Sequence, residues 1–177
     1  MVRSWLGVVV IAGVLGACAA TPPPRWQEGG APLVIAPARW ERSGEDPIEI
    51  LPNGQVVQDG DLLFAIDRAG RIFDGNNEPL GILLPDGFLA GTDNRLLGRI
   101  GVANAAPPGG AAAWLAILPD GRVVYFDDDG ERTDGGVWRG CDGPQLRTCT
   151  LVTDWLRVQQ ALNRPRVTVG VGIGVGF

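Results

Sequence analysis

Three four-residue segments of this chain nearly repeat one another: Leu51-Pro52-Asn53-Gly54, Leu84-Pro85-Asp86-Gly87 and Leu118-Pro119-Asp120-Gly121. Their glycines are 33 and 34 residues apart, and an apolar pair follows each: Val56-Val57, Phe88-Leu89 and Val123-Val124. Proline presets φ for the first central position of a type I turn. Asn or Asp suits the second, and glycine then takes the left-handed conformation that opens a bulged hairpin. Pro52, Gly54, Pro85, Gly87, Pro119 and Gly121 therefore read as turn chemistry and not as ligand contacts. Asp67-Arg68-Ala69-Gly70 and Asp127-Asp128-Asp129-Gly130 use a related device, with Asp first and Gly fourth. Gly70 lies 16 residues after Gly54 and 17 before Gly87, so the unit is one strand and one turn.

This spacing predicts strands over 48–51, 55–58, 61–66, 71–74, 80–84, 88–91, 95–101, 113–118, 122–127 and 136–139, an antiparallel β-meander. The pattern blurs over 92–112, where Ala105-Ala106-Pro107-Pro108-Gly109-Gly110 reads as a loop. A propeller of four or more four-stranded blades needs more chain than this. The expected fold is mainly β: a meander closed as a small barrel or folded as a sandwich, with one C-terminal helix and a final strand.

That helix is expected at 151–163. Leu151, Trp155, Val158 and Leu162 make one apolar stripe, Thr150 is placed to cap it, Asp154 lies near its first turn, and Pro165 stops it. Its stripe would cover an end or a face of the sheet. Just before it, Cys141 and Cys149 bracket a short Gly-Pro loop, and their nearness favours a disulfide. The spacing is not that of a CxxC redox catalyst. After the helix, Val167 to Phe177 alternates strictly. Val169, Val171, Ile173, Val175 and Phe177 share one face, and glycines occupy most of the other. Such a strand can join the domain's own sheet or pair with another envelope protein.

Composition closes several routes. There is no His, which removes His-based triads, general bases and metal sites. The net charge of −5 makes nucleic acid an unsuitable partner. Asp127, Asp129, Glu131 and Asp134, and a second stretch at Asp74, Asn76, Asn77 and Glu78, supply the hard oxygens that calcium takes, without full EF-hand spacing. No other cofactor is expected. Nothing in the pattern sets two carboxylates across a cleft for glycoside hydrolysis.

The N-terminus carries an address. Arg3 precedes an apolar run from Trp5 to Ala17 that, as a helix, covers about 20 Å, short of the roughly 30 Å hydrocarbon core. It reads as an export signal. The run ends Leu15-Gly16-Ala17-Cys18, which resembles the lipobox of bacterial lipoproteins. The resemblance implies that residues 1–17 are removed, that Cys18 is diacylated and becomes the mature N-terminus, and that the lipid bilayer is a partner. With Ala19 next, it implies an outer-membrane destination in the bacterial envelope. Loss of Cys18 to lipid leaves an even pair of cysteines in an oxidising compartment.

Residues 18–47 hold six prolines and little periodicity, and read as a lipidated tether. Trp26 is expected at the lipid interface or docked on the domain, Trp40 at the domain edge, and Val34-Ile35 as a short strand. Residues 48–177 are then a single domain. The expected function is a structural or protein-interaction role in an envelope lipoprotein. A second reading is a barrel or cleft carrying a small apolar ligand, and a third, more remote, is a carboxylate-based hydrolase.

Overall fold

In a computed structural model describing residues 20–163, the repeated turns close hairpins in one way. Gly54, Gly87 and Gly121 sit at φ of 87°, 89° and 84°. Each donates its N–H to the leucine carbonyl three residues back at 2.9 Å. Each glycine carbonyl then accepts from the far end of the second strand that follows: Ile66 N–H at 2.8 Å, Ile100 N–H at 2.7 Å and Trp138 N–H at 2.8 Å. Gly70 makes the same bond with Leu83 N–H at 2.8 Å. A Cβ on Gly54 or Gly121 would run into the carbonyl of Ile66 or Trp138, so close approach and positive φ both demand glycine here. The repeat thus encodes the joint between neighbouring hairpins as well as the turn.

Repeating that joint closes the sheet. Twelve antiparallel strands follow in order: β1 (Ala38–Arg42), β2 (Glu45–Ile50), β3 (Gln55–Gln58), β4 (Asp61–Ile66), β5 (Arg71–Phe73), β6 (Pro79–Leu83), β7 (Phe88–Gly91), β8 (Leu96–Ile100), β9 (Asn104–Ala106), β10 (Leu115–Ile117), β11 (Arg122–Phe126) and β12 (Arg132–Arg139). Each pairs with its neighbours in sequence, and β12 returns to β1 through Arg39↔Arg139, Trp40↔Trp138 and Glu41↔Val137. The fold is a closed barrel and not a sandwich. Closure removes the edges that a short-stranded sheet would otherwise expose.

Two strands differ from expectation. β9 lies where the pattern blurs, since Asn-Ala-Ala has little intrinsic strand preference. It is held by pairing Ala105 with Ile100 on one side and Leu115 on the other. β1 lies within the stretch expected to be a tether. The domain therefore begins well before residue 48: Ala31, Leu33, Ala38 and Trp40 are buried in the core. Trp40 is interior, stacked on Trp138 at 5.5 Å, with its indole N–H donated to Gly135 O at 2.9 Å. Val34 and Ile35 form no strand.

Residues 21–37 are a strap on the barrel. Thr21 and Asp93 exchange two hydrogen bonds, Thr21 N–H to Asp93 Oδ1 and Asp93 N–H to Thr21 O, each 2.9 Å. Trp26 packs edge-on against Phe73 at 5.0 Å and under the Arg71 guanidinium. Gly30 N–H then bonds Ala69 O, Ala31 N–H bonds Leu83 O, both at 2.7 Å, and Leu33 N–H bonds Arg68 O at 3.0 Å. Proline-rich composition marks an extended chain; whether it floats or docks depends on partners elsewhere in the fold.

The helix also departs from expectation. After a 3₁₀ turn at Gly143–Gln145, α1 runs Leu146–Asn163, five residues longer at its start than predicted. Thr150 is no cap but lies inside α1, its Oγ1 2.9 Å from Val102 O and 3.0 Å from Leu146 O. The disulfide Cys141–Cys149 joins the loop to the first turn of the helix.

Eight consecutive helical residues, Thr148 to Trp155, are buried, so every face of the helix is covered there. The covering groups come from all round the barrel. Trp155 meets Phe64 of β4 at 6.3 Å, and a Cβ on Gly81 of β6 would be 2.8 Å from its ring. Thr153 Oγ1 accepts from Trp138 of β12 at 2.9 Å, and Asp154 faces Gly98 of β8. α1 therefore occupies the lumen rather than lying on an end or face.

The up-and-down order sorts the loops. The turns at 51–54, 67–70, 84–87, 101–103 and 118–121 share the end where α1 enters. Those at 43–44, 59–60, 74–78, 92–94, 107–114 and 127–131 share the end where it leaves.

Candidate functional site

Two places concentrate chemistry. The first is a polar line along α1 inside the barrel. Thr148 Oγ1 donates to Val34 O at 2.7 Å, and Gln145 Nε2 donates to Ala36 O, fastening the helix entrance to the strap. Thr153 Oγ1 donates to Cys149 O at 2.8 Å while receiving the Trp138 indole. Each is a buried polar group with partners, as burial requires.

Asp154 is the exception. It is fully buried, and its Oδ1 accepts from Trp114 Nε1 at 2.6 Å while Oδ2 has no partner. Burial pushes its pKa up to about 7, against the opposing pull of the Trp114 bond and of Arg157. Arg157, one turn on, lies between two rings, 4.8 Å from Trp114 and 4.6 Å from Tyr125. The Tyr125 hydroxyl is driven up to about 12, chiefly by its own burial and against the Arg157 charge. This group can hold or release a proton.

The second place is a cleft outside the barrel wall. A depression of about 410 Å³ is lined by Pro37, Ala38, Arg39, Ile50, Leu51 and Arg139, with Glu49 and Gly140 completing it. A neighbouring hollow of about 350 Å³ shares Arg39 and Glu49 and extends to Val57 and Asp59. Both hollows are open to solvent, the one lined by Pro37 and Leu51 being the shallower. Arg39 is ion-paired with Glu49, and Arg139 bonds Glu41 at 3.1 Å. The cleft thus has an apolar side and a charge-balanced side. β1, β2 and the end of β12 position it: alternation sends Trp40 and Ile48 inward and Arg39 and Glu49 outward.

The calcium candidates are not brought together. Asp127 Oδ1 caps its own turn, accepting from Asp129 N–H at 3.0 Å and Glu131 N–H at 2.7 Å, and Asp134 Oδ1 accepts from Gly136 N–H at 2.8 Å. Asp74 Oδ1 does likewise for Asn76 and Glu78, both at 2.8 Å. These carboxylates shape turns. Among the described residues no three His, Cys, Asp or Glu side chains gather as a metal site. Cys18 and the stretch from Val169 to Phe177, with Val171, Ile173 and Val175, lie outside the described residues.

Sequence reasoning missed Asp154, Trp114, Tyr125 and Arg157 as a group, and missed the cleft. No local signal marks the group: Leu151, Val152 and Trp155 share one arc of about 100° with polar Thr153 and Asp154 beside it, the stripe of an ordinary surface helix. The cleft leaves no trace either, because Arg39, Glu49 and Arg139 are ordinary outward positions of three strands that only the closed sheet brings together.

Fold and site define the class: a closed twelve-stranded antiparallel barrel with its own C-terminal helix in the lumen. The chain matches no protein-family model, and no curated protein and no solved structure shows significant similarity to it.

Proposed function

We propose that this protein is a non-catalytic binding protein that takes a small, largely apolar ligand in the cleft beside β1, and that it is held at the bacterial envelope by lipid on Cys18. A closed barrel is an architecture that can enclose a ligand, but here α1 fills the lumen. The observation that carries the reading is the hollow on the outer wall, with Pro37 and Leu51 beside Arg39, Glu49 and Arg139. An apolar body fits the first group, and a polar end can exchange with the ion pairs of the second. The lipid anchor rests on the resemblance at Leu15 to Cys18. The strands, three to eight residues long, are shorter than the roughly 9–11 of spanning strands, which fits a barrel held at a membrane.

The test is native mass spectrometry of protein purified from envelopes. A retained adduct of a few hundred daltons is expected, lost in a folded Leu51→Asp variant. A ligand-free protein, or an adduct indifferent to Leu51→Asp, would sink the reading.

A second reading, docking of an envelope protein, is favoured by exposed apolar residues at the helix-entry end: Val34 and Val102 flank the helix entrance, and Phe88 starts β7. Pull-down from native envelopes with Val102→Asp tests it, and an unchanged set of bound proteins would remove it.

A further inference from the structure

The two ends of the described chain leave the barrel at the same place. Thr21 is pinned to Asp93, in the 3₁₀ turn Thr92–Asn94 between β7 and β8. That turn lies at the end where α1 leaves, because β7 starts from the 84–87 turn at the opposite end and runs away from it. From Thr21 the strap descends the wall past Phe73 to Ala69 and Leu83, and only then enters β1. α1 makes the return journey through the lumen. It is tied to Val34, Ala36 and Val102 at the entry end, reaches Trp114 and Tyr125 at the exit end, and is exposed from Gln160 to Leu162.

This geometry has a consequence for Cys18. Three residue steps separate it from Thr21, at most about 10 Å of extended chain. Acyl chains on Cys18 could not reach a membrane lying against the entry end, at the far end of the strands. Leu62, Leu96 and Leu162 are exposed at the exit end, at 39%, 43% and 41%.

We infer that the helix-exit end of the barrel faces the membrane. The inference rests on the lipid-anchor part of the proposed function. It also specifies the lipid. At the exit end the exposed Asp59, Asp61, Glu78, Asp127, Asp128 and Asp129 outnumber the exposed Arg95 and Arg132, so a zwitterionic surface suits it and an anionic one repels it.

Two experiments test it. In the first, the acylated protein is floated with phosphatidylethanolamine–phosphatidylcholine vesicles, with and without phosphatidylglycerol at low salt. Weaker partitioning with phosphatidylglycerol is expected. Equal or stronger partitioning would overturn the lipid preference.

In the second, the acylated protein carries a fluorophore on Asp128→Cys at the exit end or on Val102→Cys at the entry end, in vesicles containing nitroxide lipid. Quenching at 128 and not at 102 is expected. The reverse, or equal quenching, would overturn the orientation while leaving the anchor standing. An intact mass showing Cys18 without acyl groups would remove the anchor, and the orientation with it.

Discussion

The indole N–H of Trp114, on the barrel, donates to Asp154 Oδ1, on the enclosed helix, at 2.6 Å, and leaves Asp154 Oδ2 without a partner. A carboxyl so placed is held protonated by its surroundings, and this makes stability depend on pH. Its pKa of about 7 stands above the ordinary value of 3.8. Between those values the folded chain holds a proton that the unfolded chain has released, so stability falls as pH rises from about 4 to about 7 and then levels. The span corresponds to roughly 4 kcal/mol. Asp154→Asn, which cannot ionise, should flatten this slope and be more stable than the parent at pH 8. Urea melts at pH 4, 6 and 8 check this, and an equal slope in both proteins would refute it.

The glycines at the joints should differ sharply from those in open turns. Gly121 combines φ of 84° with a Cβ position already occupied by the Trp138 carbonyl, whereas Gly130, at φ 80°, has nothing within 4 Å. Gly130→Ala carries only the left-handed penalty, about 1–2 kcal/mol. Gly121→Ala carries that and a backbone displacement, so it should cost at least about 3 kcal/mol or block folding. Thermal melts of the two variants provide the comparison, and similar losses would show that the joint is not tight.

Gly81 tests whether the helix lies in the lumen. An added Cβ would be 2.8 Å from the Trp155 ring and 3.2 Å from Ala90 O. Gly81→Val should therefore lose about 2–3 kcal/mol through overpacking. Partial recovery is expected when it is combined with Trp155→Leu, because the two sites share one space. Strict additivity in the double-mutant cycle would mean that they do not touch.

The disulfide ties the helix start to the end of β12 across a sequence separation of eight. In the chain-entropy model a loop of this size contributes roughly 2–3 kcal/mol. Cys141→Ser with Cys149→Ser should lower stability by about that amount. Non-reducing mass analysis of the parent should find no free thiol at either position.

Much of this protein was written in its local sequence. The Leu-Pro-Asx-Gly and Asp-x-x-Gly turns are decided by φ preferences and by hydrogen bonds between residues two to four apart. Hence ten of the twelve strands fall close to the expected positions, and the pair Cys141 and Cys149 is close enough in sequence to be read directly. The lipobox resemblance at Cys18 is equally local. What only the tertiary structure decided depends on distant partners. A meander can close or fold over with the same turns, and the choice rests on β12 meeting β1 through Trp40 and Trp138, almost a hundred residues apart. The strap reads as a free tether until Ala69, Leu83 and Asp93 supply its hydrogen bonds. α1 reads as a surface helix until the closed wall surrounds it. Asp154 acquires its raised pKa, and the cleft beside β1 its shape, only then, because burial is a property of the whole fold and of no segment within it.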